Sequence, residues 1–330
     1  MITPFAQATP LTPPRLRSIQ VLRGIAACGV VVHHAYRVVD PNTAFRAGAA
    51  GVDLFFVISG FIMATVGRDR TPGKFLRDRI WRIYPLWWIA VAPWLIAKNH
   101  DLPTVLTSLT LWPIWSGSFH TPALLIGWTL CFEMLFYVAF AVGLATRAAF
   151  PLVCFALCLA MAARNDLFAY FGSPLILEFI AGACIAQLRP SPGWGVLIGI
   201  GFVWLAVAPV DHYTAVFGSH GFQRLFAWGV PAAMIVYGAR SIERAFDHPC
   251  FDAAVLIGNA SYSIYVFHLL IVGNVPWPIG VVGAVAFGIV SYLFLERSIL
   301  RMKPRWPLMA GDTLAGRSGN IAARRGAPAE

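Results

Sequence analysis

The chain has 330 residues, of which 58% are hydrophobic and only 12% are charged. Because average soluble domains carry about 25% charged residues, this composition excludes an ordinary soluble protein and predicts an integral membrane protein. The net charge of +10 is then an effect of membrane orientation and of the anionic inner leaflet. Nucleic acid is not expected among the partners.

Ten apolar segments have lengths compatible with spanning helices, for which about 20 residues are needed. They lie at roughly 17–37, 48–67, 80–97, 124–145, 148–163, 172–188, 193–209, 224–240, 254–273 and 276–297. We therefore expect an all-α, polytopic membrane protein with about ten transmembrane helices in one bundle. The predicted divisions are a cytoplasmic leader at 1–16, a transmembrane domain at 17–300 and a cytoplasmic, disordered tail at 301–330.

The distribution of lysine and arginine predicts the orientation of the bundle, because these residues accumulate in short cytoplasmic loops. With the N-terminus inside, nineteen of the 25 fall in cytoplasmic segments and five, including Arg224, fall in outer segments. The remaining one, Arg23, lies within the first helix. This asymmetry favours both termini in the cytoplasm and a multi-pass protein of the cell inner membrane.

The first predicted helix carries a polar face in the stretch VLRGIAACGVVVHH at 21–34. Arg23 and His34 are eleven residues apart, close to three turns, so they share one face about 16 Å apart along the axis. One interpretation is that Arg23 extends to the inner interface while His33 and His34 end the helix on the outer side. The other is that this face lines a protein interior, where intramembrane ionisable residues usually lie.

Further ionisable residues occur in the outer halves of other predicted spans. They are Asp53, Glu133, Glu178 and His268. Together with His34, they place five acid–base candidates from five helices at one depth. This predicts acid–base chemistry within the membrane rather than scattered structural pairs.

A cationic cluster precedes the third predicted helix, formed by Lys74, Arg77, Arg79 and Arg82, with Arg23 at a nearby depth. Fixed cations in such an arrangement can bind a phosphorylated anion. A basic loop is also what membrane orientation alone would produce, so both interpretations stay open here.

Several residues have a structural interpretation beside the functional one. Asp53 is a candidate helix cap, Glu178 and His268 are a candidate buried pair, and Ser59-Gly60 is a candidate site of close helix approach. The tryptophans Trp87, Trp88 and Trp128 are expected to anchor the chain at the membrane interface. The six cysteines lack metal-ligand spacing and predict neither a zinc site nor a disulfide framework.

The order of motifs resembles acyltransferase family 3 of membrane O-acyltransferases, and most closely its exopolysaccharide O-acetyltransferase branch. The Arg-x10-His pattern falls on Arg23 and His34, with His33 as the neighbouring alternative. The further motifs are GVDLFFVISGF at 51–61, FLRDRIWRIYPLWW at 75–88, GWTLCFEMLFY at 127–137 and NASYSIYVFHLLI at 259–271, followed by FLERSIL. The resemblance covers about residues 17–300.

The resemblance implies transfer of an acyl group, commonly acetyl, from cytoplasmic acetyl-CoA or another acyl-CoA to a sugar hydroxyl. The acceptor would be an exported or surface polysaccharide or a lipid-linked oligosaccharide, with membrane lipid and polysaccharide assembly proteins as further partners and no metal cofactor. A proton-coupled transporter is the alternative, because buried carboxylates and histidines also suit proton movement.

Within this hypothesis, His34 is the expected general base, because imidazole titrates near neutral pH. Glu133 would orient that imidazole, as the carboxylate of a catalytic triad does. Arg23, with Arg79 and Arg82, would hold the donor phosphates or polarise the thioester. His33, Asp53, Ser59, Glu178 and His268 are secondary candidates for the site.

Overall fold

The computed structural model describes residues 16–39, 46–67, 70–146, 170, 172–208 and 218–304. These residues are mostly helical, as predicted, and one antiparallel hairpin pairs β1 (Ile114–Trp115) with β2 (Ser118–Phe119). The α-helices in the described ranges are α1 (Arg17–Val39), α2 (Gly51–Val66), α3 (Pro72–Ala97), α4 (Leu102–Thr110), α5 (Gly127–Thr146), α6 (Ile176–Ile185), α7 (Val196–Val207), α8 (Gly218–Arg224), α9 (Val230–Ser241), α10 (Asp252–Asn259), α11 (Ser261–Val272), α12 (Ile279–Ser291) and α13 (Arg297–Arg301).

Nine of the ten predicted segments overlap these helices, and the segment predicted at 148–163 lies outside the described residues. Within the described ranges, four helical stretches are long and apolar enough to cross a membrane: Ala47–Val66, Pro72–Ala97, Gly127–Thr146 and Ile279–Arg301. A fifth is added if Pro249–Asn259 and Ser261–Val272, which meet at 63°, form one bent span. The chain is thus a helical membrane protein, and the count of about ten spans stays a prediction.

The third helix begins earlier than predicted. Proline is favoured in the first helical turn, where its missing N–H costs no hydrogen bond, and Pro72 begins α3. The cations from Lys74 to Arg82 therefore lie in the first turns of a helix rather than in a loop. Arg79 and Arg82 are three residues apart and project from neighbouring positions on one face.

The segment between α3 and α5, predicted as an outer loop, contains a further helix and the hairpin. The Asp101 carboxylate caps α4 by accepting a hydrogen bond from the Thr104 N–H at 3.2 Å, and Leu111 ends the helix in a left-handed conformation with φ 53°. With nine residues, α4 is too short to be found by a search for membrane spans.

Helix α2 packs closely against α6 through two glycines. A Cβ atom on Gly60 would lie 1.9 Å from the Phe179 carbonyl oxygen, and one on Gly182 would lie 1.9 Å from that of Val57. Close approach of the two backbones therefore requires glycine at both positions. The prediction of close packing is confirmed for Gly60, whereas Ser59 has a different contact, described below.

Polar contacts join the start of α1 and the start of α3 to later segments of the chain. The Ser18 hydroxyl donates to Glu243, and Lys303 pairs with Asp78. The charge distribution predicts that these segments lie on the same side of the membrane.

Candidate active site

A cavity of about 100 Å³ lies among α1, α2, α3, α5 and α11. We call it the cationic cavity, because Arg23, Arg79 and Arg82 contribute their side chains to its lining, together with Ser59 and Glu133. The three arginines that the sequence predicted to act together thus meet at one place, although Arg23 comes from a different helix.

Glu133 belongs to the cationic cavity. Its Oε1 atom accepts a hydrogen bond from the Ser59 hydroxyl at 3.2 Å and another from the Tyr137 hydroxyl. We expected this carboxylate to orient the imidazole of His34, and its hydrogen bonds differ from that expectation. The physical reason is that Glu133 and Tyr137 are four residues apart on α5 and so lie on the same face.

Arg82 is positioned by a carboxylate that the sequence analysis did not single out. Its Nη1 atom lies 3.5 Å from Glu296 Oε1, and the other carboxylate oxygen accepts a hydrogen bond from the Ser263 hydroxyl at 2.6 Å. Glu296 is only 2% exposed. An acidic residue inside the last apolar segment was the signal that could have identified it, because such residues usually serve a protein interior.

Arg79 lies over two aromatic rings, with its guanidinium carbon 5.4 Å from the ring centre of Phe75 and 5.7 Å from that of Tyr137. These cation–π contacts hold the group in place without neutralising its charge. Its buried Nε atom has no hydrogen-bond partner among the described residues. A donor is therefore left for an anion in or near the cationic cavity.

A second cavity, of about 330 Å³, contains His33 and His34 in its lining, and we call it the histidine cavity. Trp128 forms part of its wall, and its role as an anchor at the membrane interface stays a prediction. Arg37, Phe119 and Arg224 also line it. Val52 and Tyr265 line both cavities, so the two cavities adjoin at these side chains.

His34 is hydrogen-bonded to His268. Its Nδ1 atom lies 3.0 Å from His268 Nε2 and 3.1 Å from the Val30 carbonyl oxygen. His268 is fully buried, and its Nδ1 atom lies 2.6 Å from the Tyr265 carbonyl oxygen. The predicted alternative that His268 pairs with Glu178 is therefore wrong, because both of its ring nitrogens face other partners.

Asp53 forms a buried ion pair with Arg224. The Nε and Nη2 atoms of Arg224 lie 2.9 Å and 2.8 Å from the two carboxylate oxygens of Asp53, and both residues are at most 1% exposed. The guanidinium carbon also lies 5.5 Å from the ring centre of Trp128 and 5.4 Å from that of Trp228. Arg224, predicted for an outer segment, is thus in the core, because the Asp53 carboxylate compensates its charge there.

Glu178 lies beside this ion pair, in the first turn of α6. It is 1% exposed and packs against Gly229, where a Cβ atom would come 2.7 Å from its Oε1. Close packing in this position reflects the absence of a side chain on Gly229. Glu178 therefore adds a third ionisable group to the buried pair of Asp53 and Arg224.

The five predicted acid–base residues thus fall into three groups. His34 contacts His268, Asp53 and Glu178 lie with Arg224, and Glu133 lies in the cationic cavity. Within the described part of the chain, no group of three or more His, Cys, Asp or Glu side chains could hold a metal ion.

We predict that Asp53→Asn lowers the free energy of unfolding by about 3–5 kcal/mol, because it leaves the Arg224 charge buried without its partner. Thermal unfolding of the purified protein in detergent measures the change. Asp252→Asn is the matched control, since Asp252 pairs with Arg17 but is 67% exposed and such pairs contribute little. Equal melting temperatures for both variants would contradict the proposed importance of the buried pair.

Comparison with known proteins identifies the family. The acyltransferase domain family matches residues 16–296. The exopolysaccharide production protein ExoZ of Rhizobium meliloti (strain 1021) is 33% identical over 320 residues, which cover 83% of this chain and 96% of that protein. Protein 2 in the picA locus of Rhizobium radiobacter is 38% identical over 88 residues, covering 24% of this chain and 44% of its own. No solved structure gives a significant match. Because the family match extends over most of the chain, this protein belongs to acyltransferase family 3.

Proposed function

We propose that the protein is a membrane O-acyltransferase that moves an acetyl or other acyl group from acyl-CoA to a sugar hydroxyl of an exported polysaccharide. The family supports acyl transfer, and the name of the Rhizobium meliloti relative supports an exopolysaccharide acceptor. One observation carries the proposal. A cavity lined by three guanidinium groups and a cavity lined by two imidazoles adjoin at two shared side chains, Val52 and Tyr265.

The cationic cavity suits the donor. Phosphate groups bind guanidinium groups through paired, charge-assisted hydrogen bonds, and Arg23, Arg79 and Arg82 supply them. Cavities that hold drug-sized ligands measure about 300–1,000 Å³, so a volume of about 100 Å³ is too small for the nucleotide of coenzyme A. The narrow thioester arm would enter, while the phosphates would stay outside and meet Arg82, whose side chain is 28% exposed.

The histidine cavity suits the acceptor. At about 330 Å³ it falls within the range of ligand pockets. A sugar ring has apolar faces and polar edges, and this lining offers the aromatic side chains of Trp128 and Phe119 beside the imidazoles of His33 and His34. A hydroxyl group of the glycan could therefore approach His34 while its ring packs against the aromatic wall.

His34 acts as the general base in this scheme. It removes the proton of the attacking hydroxyl as the new carbon–oxygen bond forms at the thioester carbonyl. The carbon–sulfur bond then breaks, and the proton held by the imidazole passes to the departing thiolate. Products are the acylated sugar and free coenzyme A, so no external oxidant, reductant or metal is needed.

The same contacts weaken the transporter interpretation. Two carboxylates that could have carried protons have defined partners, because Asp53 pairs with Arg224 and Glu133 accepts hydrogen bonds from Ser59 and Tyr137. The family assignment also favours acyl transfer. Membrane lipid and polysaccharide assembly proteins remain proposed partners.

The proposed orientation follows from the charge distribution. With both termini in the cytoplasm and residues 17–300 forming the transmembrane domain, the cationic cavity faces the cytoplasmic side, where acyl-CoA is available. The histidine cavity then faces the outer side of the cell inner membrane. The acyl group passes between the two at Val52 and Tyr265.

We predict that His34→Ala lowers the rate of acetyl transfer about 100-fold or more, because general base catalysis is lost, while acetyl-CoA binding persists. Transfer of radiolabelled acetyl from acetyl-CoA to isolated exopolysaccharide measures the rate. His33→Ala is the matched comparison. His33 lines the same cavity and is the neighbouring alternative for the base. Full activity of His34→Ala together with inactivity of His33→Ala would assign the base to His33.

We expect Arg82→Lys to weaken acetyl-CoA binding about tenfold, because lysine keeps the charge but cannot bind phosphate through two parallel hydrogen bonds. Arg23→Lys should act in the same direction. Isothermal titration of the purified protein with acetyl-CoA gives the dissociation constants. Arg301→Lys, an exposed position at the end of α13 and outside the cavity lining, is the control. Unchanged affinity in both cavity variants would restrict these arginines to membrane orientation.

The orientation predicts different accessibility for two introduced cysteines. A side chain at position 73 meets open space and, in the proposed orientation, faces the cytoplasm. Gly73→Cys should therefore resist an impermeant thiol reagent in intact cells, whereas His120→Cys should react. The background lacks the exposed Cys184 and Cys250, and the parent without an introduced cysteine gives the baseline. Labelling of Gly73→Cys from outside would reverse the orientation and exchange the proposed donor and acceptor sides.

A further inference from the structure

The hydrogen bonds of His268 determine which of its ring nitrogens carries the proton. Its Nδ1 atom lies 2.6 Å from the carbonyl oxygen of Tyr265. A carbonyl oxygen only accepts hydrogen bonds, so Nδ1 must be the protonated nitrogen. A neutral His268 then presents a lone pair at Nε2, the atom that faces His34.

The same logic extends to His34. Its Nδ1 atom lies 3.0 Å from His268 Nε2, which carries the lone pair, and 3.1 Å from the Val30 carbonyl oxygen. Both neighbours are acceptors, so the proton of a neutral His34 belongs on Nδ1. The other ring nitrogen of His34, Nε2, is left with a lone pair.

The opposite arrangement leaves groups unsatisfied. If His268 carried its proton on Nε2 and donated to His34, its Nδ1 lone pair would face the Tyr265 carbonyl oxygen at 2.6 Å. These two acceptors would then face each other without a proton between them. His268 is fully buried, and an unmade hydrogen bond is costly in such a place. Only the first arrangement satisfies the hydrogen bonds of both imidazoles.

We propose that His268 is a positioning residue that holds His34 in the tautomer whose Nε2 atom is the base. This inference rests on the proposed function and adds to it the identity of the reacting nitrogen. His268 takes the place that a carboxylate holds in a catalytic triad. Glu133 does not take it, because its hydrogen bonds go to Ser59 and Tyr137.

The proton transfers remain balanced with this pair. The acceptor hydroxyl gives its proton to His34 Nε2, and the resulting imidazolium still donates from Nδ1 to His268 Nε2. His268 in turn donates to the Tyr265 carbonyl oxygen, so positive charge on His34 is stabilised along a chain of two hydrogen bonds. The proton then leaves from His34 Nε2 to the thiolate of coenzyme A, and both histidines return to their starting tautomers.

The test compares two substitutions that differ in whether they can accept a hydrogen bond. His268→Gln can place its amide oxygen near the former position of Nε2, whereas His268→Leu fills similar space without an acceptor. We expect kcat for acetyl transfer to fall about 100-fold or more in His268→Leu, because Nδ1 of His34 keeps only the Val30 carbonyl oxygen as an acceptor and the imidazolium loses its stabilisation by His268. His268→Gln should recover most of that loss. Acetyl-CoA affinity should stay unchanged in both, since His268 is not part of the cationic cavity.

Two results of this comparison would overturn the inference. One is a kcat for His268→Leu equal to that of the wild type, and the other is a His268→Gln variant as slow as a correctly folded His268→Leu. Absence of acetyl transfer by the wild-type protein would instead overturn the proposed function.

A measurement on the wild-type protein tests the tautomer without any substitution at His268 and without the reaction. Imidazole nitrogen NMR of protein labelled in its histidines distinguishes protonated from unprotonated ring nitrogens, and His34→Ala identifies the signals of His34. We expect Nδ1 of His34 to carry the proton and Nε2 to be unprotonated. The reverse pattern would reject the positioning role of His268 while leaving the acyltransferase proposal in place.

Discussion

A charge that is removed from water inside an apolar bundle needs a compensating partner, and this constraint organises the protein. The pair of Asp53 and Arg224 shows it most directly, because both side chains are at most 1% exposed and are joined by two hydrogen bonds. The pair ties α2 to the end of α8. It also places Arg224 against Trp128, so that one ion pair determines part of the wall of the histidine cavity.

Helix α2 separates the functional groups of the bundle by pointing successive side chains in different directions. Val52 and Ser59 are seven residues apart, close to two turns, and both line the cationic cavity. Asp53, one position after Val52, projects to a different side and meets Arg224. The close contact with α6 through Gly60 and Gly182 holds this helix in place. The contribution of α2 to the boundary between the two cavities therefore depends on the rotation of this helix about its axis.

Two irregular turns bring charged residues to their partners. A π-helical turn at Leu225–Gly229 follows Arg224 directly, and another at Tyr292–Glu296 ends with the carboxylate that pairs with Arg82. Such turns insert an extra residue into a helix and rotate the side chains that follow or precede it. In both places the rotation coincides with a buried or half-buried ion pair. The helical irregularity and the electrostatic requirement are thus parts of the same local arrangement.

Composition, apolar length and motif order were sufficient to predict a helical membrane protein of this family. The placement of Arg79 and Arg82 on one face of a helix was found only in the structure, because α3 begins at Pro72, earlier than predicted. The positions of His34, Glu133 and His268 within the predicted spans placed them at a similar depth, which stays a prediction. The partners of these residues were decided only by tertiary structure. His34 meets His268 across 234 residues and Asp53 meets Arg224 across 171. A periodic pattern shows which face of a helix is polar. It does not show which neighbouring helix lies against that face. Glu133 was assigned to His34 from the family resemblance and a shared predicted depth, whereas the local geometry of α5 bonds it to Tyr137. The choice among partners at one depth depends on helix packing, because only packing determines which polar groups can compensate one another away from water.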